Sequence, residues 1–157
     1  MKKEITVLVP TYNRSKLLKR TLDSLSVQDP TIHINCVISD NCSTDDTKNL
    51  AGSFHQHSKN LKITYIRQDN QLSPLDNWKF LLSYMDTEYS KFLFDDDWLH
   101  EDALKIMFND IEMLEADSLI YNTSIFILLR FAILWCTSFS RIRRYISSCS
   151  LWQCILC

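Results

Sequence analysis

Short apolar, β-branched runs alternate along the chain with segments whose apolar residues recur at helical spacing, and no other feature constrains the fold as much. The runs predict strands at residues 5–9, 33–39, 61–67, 90–94 and 118–122. Between them, Leu18, Leu22 and Leu25 mark a helix over 15–25, and Ser43 or Thr44 is a natural N-cap for a second. Leu75, Trp78, Leu82 and Met85 mark one face of a third, and Leu104, Met107, Phe108, Ile111 and Leu114 define a fourth. Strands that are apolar almost throughout need cover on both faces. Joined by short connections through helices, they predict an α/β fold: a mostly parallel sheet with helices on both faces.

Three predicted strands end in polar clusters: Thr11-Tyr12-Asn13, Asp40-Asn41 and Asp95-Asp96-Asp97. In a parallel sheet these ends share one edge, so the clusters converge on one crevice. The last is the most telling, because the run Lys91-Phe92-Leu93-Phe94 stops abruptly at three carboxylates followed by Trp98. Adjacent acids repel, and a hard divalent cation, Mg²⁺ or Mn²⁺, relieves that repulsion with the oxygen ligands it prefers. The plainer account is a solvated acidic turn capping the next helix, which a buried strand feeding straight into the acids disfavours. Asp40 ends a buried strand and either accepts an N–H from a nucleobase or caps a helix, with nothing in the residues to separate the two. Tyr12 suits stacking on a base or ordinary packing. Arg67 suits a diphosphate or a solvated ion pair. Trp78 is assigned to the core. His33, His55, His57 and His100 show no ligand pairing with neighbouring acids, and His55 and His57 read as surface residues.

Composition removes several classes. A formal net charge of -2 gives no basic field for nucleic acid. With Gly52 the single glycine, no Gly-rich phosphate loop exists, so a P-loop or dinucleotide fold is unsupported and phosphate would be held through a metal. The start Met1-Lys2-Lys3-Glu4 has no signal-peptide pattern. The expected compartment is the cytosol, with the cysteines as free thiols.

The sequence divides near residue 122. The last acid is Asp117, and beyond it the only charges are Arg130, Arg141, Arg143 and Arg144. The 13 other basic residues against 19 acids give -6 for the first part, and the four arginines give +4 for the tail. Residues 124–157 show neither strand alternation nor helical period, and residues 125–135 are short for a membrane span. Two accounts fit: a basic membrane-surface segment, which would place the chain at the inner face of the membrane, or a tail read out of frame. The abrupt change of composition favours the second. Cys149, Cys154 and Cys157 match one iron-sulfur spacing, but the fourth cysteine that should follow is missing.

Residues 5–14 (ITVLVPTYNR), 37–45 (VISDNCSTD) and 92–98 (FLFDDDW) together resemble the family 2 glycosyltransferases of the GT-A nucleotide-diphospho-sugar fold: their first strand and loop, their V-D-D-G-S-x-D segment and their D-x-D region. The resemblance implies a Rossmann-like, nucleotide-sugar-binding half-domain over residues 1–122, with 123–157 as an atypical tail. It implies Thr11 and Tyr12 at the nucleoside, Asp40 on the base, Asp95 near the ribose, and Asp96 and Asp97 as metal ligands, Asp96 first; Arg67, read from its own position, joins them as a donor-site candidate. The activity implied is sugar transfer from a nucleotide diphosphate, a UDP-sugar favoured, to a glycan or lipid-linked hydroxyl in bacterial-type polysaccharide synthesis. A non-catalytic binding remnant and, more weakly, a nucleotidyltransferase are the alternatives. Asn41-Cys42 departs from the family's Asp-Gly, and no general base is recognisable in the acid-free tail.

Overall fold

A computed structural model of the chain describes residues 3–54, 59–114, 118–121 and 126–130. Its elements run β1 (Lys3–Thr11), α1 (Ser15–Ser26), β2 (Ile32–Asp40), α2 (Thr47–Ser53), β3 (Leu61–Arg67), α3 (Pro74–Leu82), β4 (Tyr89–Phe92), α4 (Ala103–Leu114), β5 (Ser118–Tyr121) and β6 (Phe126–Arg130). They build one sheet in the order β3-β2-β1-β4-β6-β5. β1 lies parallel to both β2 and β4, and β2 parallel to β3, whereas β6 runs antiparallel to β4 and to β5. The expected α/β architecture is therefore present.

Side-chain alternation in β1 sorts the core into two layers. Ile5, Val7 and Val9 face Leu18, Leu22 and Leu25 of α1 and Leu104, Met107 and Phe108 of α4, all buried in one large cluster. Leu8 points the other way and joins Val37 and Leu81 in a smaller cluster under α3. Helices thus cover both faces. Burying each large aliphatic side chain contributes about 1.5–3 kcal/mol, so most of the apolar stabilisation lies on the α1/α4 side.

α3 corrects the sequence reading in two respects. Trp78, assigned to the core, is 39% exposed, and Leu75 and Leu82, placed on the packed face, are 56% and 41% exposed. The helix is rotated because Asn77, not Trp78, faces the sheet: its amide meets the hydroxyl and carbonyl of Ser39, and Leu81 one turn later fills the layer beneath. Met85 does pack on this smaller cluster. Trp78 instead lies against Phe94, ring centroids 5.3 Å apart, at the rim. The helix start is built from local chemistry: Pro74 occupies the first turn, and the Ser73 hydroxyl accepts the Asp76 N–H at 3.2 Å.

β6 takes five residues from the stretch read as lacking strand character. Its Leu129 pairs with Ser90 of β4 and Ser118 of β5, so backbone pairing supplies what no alternation in the sequence signals. The rest of the tail, its cysteines and its three last arginines, and His55 and His57, lie outside the described residues.

Candidate functional site

The carboxyl ends of β1, β2, β3 and β4 meet along one edge, and the polar clusters are bonded to one another there. The Asn41 N–H donates to Thr11 O at 2.9 Å, the Asn13 N–H to the Ser43 hydroxyl at 2.8 Å, and the Thr44 N–H to Asn13 Oδ1 at 2.7 Å. Asn13 turns through a left-handed backbone (φ 53°), which its short polar side chain tolerates. Ser43 and Thr44 are therefore committed to the loop after β1 and do not cap α2, which starts at Thr47 with Asp46 before it. Asp45 does double duty: Oδ1 accepts from Thr47, and Oδ2 accepts the Ser15 N–H at 2.9 Å, capping α1 from a distant loop. Burial pushes its carboxyl up, but the bonds from Thr47 and Ser15 outweigh this and hold it at about 2.

Asp95 stands at the centre of the edge, buried. Thr11 Oγ1 donates to its Oδ2 at 2.8 Å, and Arg14 Nη1 lies 3.2 Å from its Oδ1. The same Arg14 nitrogen is 3.1 Å from Asp96 Oδ2, so one guanidinium bridges a buried and an exposed carboxylate. Burial raises the Asp95 pKa, a shift that Thr11 and Arg14 only partly offset. Asp97 closes the turn, its N–H donating to Phe94 O at 3.0 Å. Among the described residues, no three His, Cys, Asp or Glu side chains gather as a metal cluster. Two carboxylates do converge on one cationic point, an all-oxygen donor set suited to a hard divalent cation.

Asp40 forms the other end of the crevice. It is fully buried, with Oδ1 accepting the Ser43 N–H at 2.8 Å and Oδ2 accepting the Tyr65 hydroxyl at 2.5 Å. Arg67 Nε stands 3.9 Å from Oδ2, and its Nη2 donates to Ser43 O. Arg67 is thus beside Asp40 and not beside the acid turn. Tyr12 is 41% exposed at the rim. The following loop is pinned by Asn41, whose side-chain amide exchanges two bonds with the Leu72 backbone, and by Cys42, whose thiol donates to Gln68 O. Cys42 adopts φ 67°, the left-handed conformation for which the family pattern has glycine.

Sequence reasoning missed the supports beneath the acids. Thr21 and Ser24 on the inner face of α1, and Gln28 just beyond its C-terminus, are all buried. The Thr21 hydroxyl is 2.6 Å from Asp97 O, Ser24 Oγ accepts the Leu99 N–H, and Gln28 reaches His100 O and the Leu104 N–H. Their signal was the spacing of three and four residues, which places polar groups in line with a buried helix face. Arg14 was named only within the matched motif, although it is a cation at the loop opposite three acids. Among the described residues, no helix is long and apolar enough to cross a membrane.

Comparison with known proteins gives this edge its context. The chain is 31% identical over 103 residues to the poly(ribitol-phosphate) β-N-acetylglucosaminyltransferase TarS of Staphylococcus aureus, covering 65% of this chain and 18% of that protein. It is 33% identical over 104 residues to the abequosyltransferase RfbV of Salmonella typhimurium, covering 66% of this chain and 31% of that protein. The crystal structure of S. aureus TarS residues 1–349 in complex with UDP-GlcNAc superposes with a TM-score of 0.65 at 29% identity, covering 74% of this chain and 33% of that one. A mannosyltransferase of Pyrobaculum calidifontis, solved with GDP-Man and Mn²⁺, shares the fold with a TM-score of 0.69 at 17% identity, over 83% of this chain and 45% of that one. The chain spans less than a third of TarS and of RfbV. The family model described as glycosyl transferase family 2 matches residues 6–149, and the chain belongs to that family.

Proposed function

We propose that this chain forms the donor-binding part of a transferase that moves a sugar from a nucleoside diphosphate to an acceptor hydroxyl. The observation that carries the reading is the convergence of Thr11, Arg14, Asp95 and Asp96 at one sheet edge, with Asp40 and Arg67 at its other end. Thr11 and Tyr12 line the nucleoside site, Asp40 accepts an N–H of the base beside Arg67, and Asp95 lies at the ribose. Asp96, with Asp97 beside it and Asp95 staying with Thr11 and Arg14, would hold Mg²⁺ or Mn²⁺, which would supply a Lewis acid for the leaving diphosphate. Arg14, freed from Asp96, remains beside the diphosphate as a fixed positive charge. A UDP-sugar is the favoured donor, since the relative solved with UDP-GlcNAc is 29% identical here. The acceptor is a glycan or a lipid-linked saccharide, handled in the cytoplasm or at the inner face of the membrane.

Calorimetric titration with UDP tests the donor site. Affinity should fall on the order of tenfold or more when Mn²⁺ is removed and in Asp96→Ala, since a charge-assisted contact is worth about 1.5–3 kcal/mol. Affinity indifferent to both overturns the role given to the acids. Release of UDP from a UDP-sugar in the presence of acceptor measures turnover directly.

A further inference from the structure

Resting on that donor-site reading, we infer that Tyr65 is the positioning residue for base recognition, fixing the Asp40 carboxylate so that one acceptor position faces an imide N–H of the nucleobase. Asp40 is at the end of β2 with 0% exposure, where the orientation of a carboxylate is set by the groups that bond to it. Three contacts orient it: the Ser43 N–H on Oδ1, and the Tyr65 hydroxyl and the Arg67 guanidinium on Oδ2. A carboxylate offers about four lone-pair positions; two take hydrogen bonds here, and Oδ1 carries only the Ser43 N–H, which leaves acceptor capacity for a base.

Tyr65 is suited to this role by its place in the sheet. It pairs with Ile38 in register, two residues before the Asp40–Arg67 pair, and so shares the face on which Arg67 stands. Its ring packs against the larger hydrophobic cluster, which fixes the hydroxyl at the level of Asp40 before any ligand arrives. Arg67, 45% exposed and 3.9 Å away, supplies charge but not a fixed direction. The arrangement selects bases with a ring N–H at the Watson–Crick edge, as uracil has, against cytosine, whose ring nitrogen there is an acceptor.

The test compares UDP with N3-methyl-UDP, which lacks that N–H, by calorimetry in Mn²⁺ on the full chain and on Tyr65→Phe, which keeps the ring. The wild type should prefer UDP by about 10- to 100-fold, the span expected for a hydrogen bond to a charged group. Tyr65→Phe should reduce the preference to about threefold or less through weaker UDP binding, with N3-methyl-UDP affinity nearly unchanged. If Tyr65 only supports the fold, both ligands weaken together and the ratio persists, which overturns the inference while leaving the donor site standing. A wild type that binds both equally overturns it as well. A wild type that binds neither overturns the donor-site reading itself.

Discussion

At the scale of single residues, the edge of the sheet is organised by buried charge. Lys91 is the sharpest case: it is 3% exposed in β4, where burial pushes its ammonium down to about 8 while the charge of Asp97 pulls the other way. An unfolded lysine titrates near 10.4, so between pH 8 and 10.5 the unfolded chain binds more protons and stability rises with pH through that window. Lys91→Met should remove this slope and raise stability at pH 7 on the order of 2 kcal/mol, because the folded protein no longer holds a charge in the core. Chemical denaturation at a series of pH values checks it; an unchanged slope in the variant assigns the effect elsewhere. Cys36 is the opposite kind of buried group, its thiol pushed up to about 12 by burial and therefore unreactive.

Helix α1 is the element that carries the site. Its inner face is apolar at Leu18, Leu22 and Leu25 and polar at Thr21 and Ser24, and Gln28 follows just past its end, so one segment both fills the core and holds the acid turn. Gln28 Oε1 accepts the Leu104 N–H near the start of α4, and its amide donates to His100 O, the carbonyl to which the Ala103 N–H also donates. Gln28→Ala leaves a buried N–H without its partner and should cost about 2–3 kcal/mol in urea unfolding. A loss below about 0.5 kcal/mol would mean that water replaces the side chain without penalty.

At the scale of the whole molecule, β6 decides how the sheet is closed. It is the strand that joins β5 to β4, so β5 has no place in the sheet without it. A chain cut after residue 117 should keep the crevice, which is built from residues of the first four strands and their loops, but should expose the β4 edge. The expected outcome is a lower melting temperature and concentration-dependent aggregation by light scattering, with UDP still bound. A shortened chain as stable as the full one would show that β5 and β6 add nothing to the sheet. β6 and the end of the family match at residue 149 both lie in residues 123–157; the proposal that this stretch is read out of frame is tested by the coding DNA, where another frame should yield an acid-containing continuation with strand and helix periodicity.

The sequence by itself determined the sheet, its parallel character and the edge where the site lies, because β-branched runs such as residues 5–9 and 61–67 and the abrupt acids at 95–97 are local signals. Only the tertiary structure decided which polar residues serve that edge. Thr21, Ser24 and Gln28 have no visible role along the chain until α1 and its end are laid against the acid loop. Ser43 and Thr44 look like caps until the loop after β1 takes their hydrogen bonds. Trp78 looks like core until Asn77 finds Ser39 and turns the helix. In each case a polar group chose among competing partners, and that choice depends on which chain segments meet in space, a relation that residue spacing along one segment does not contain.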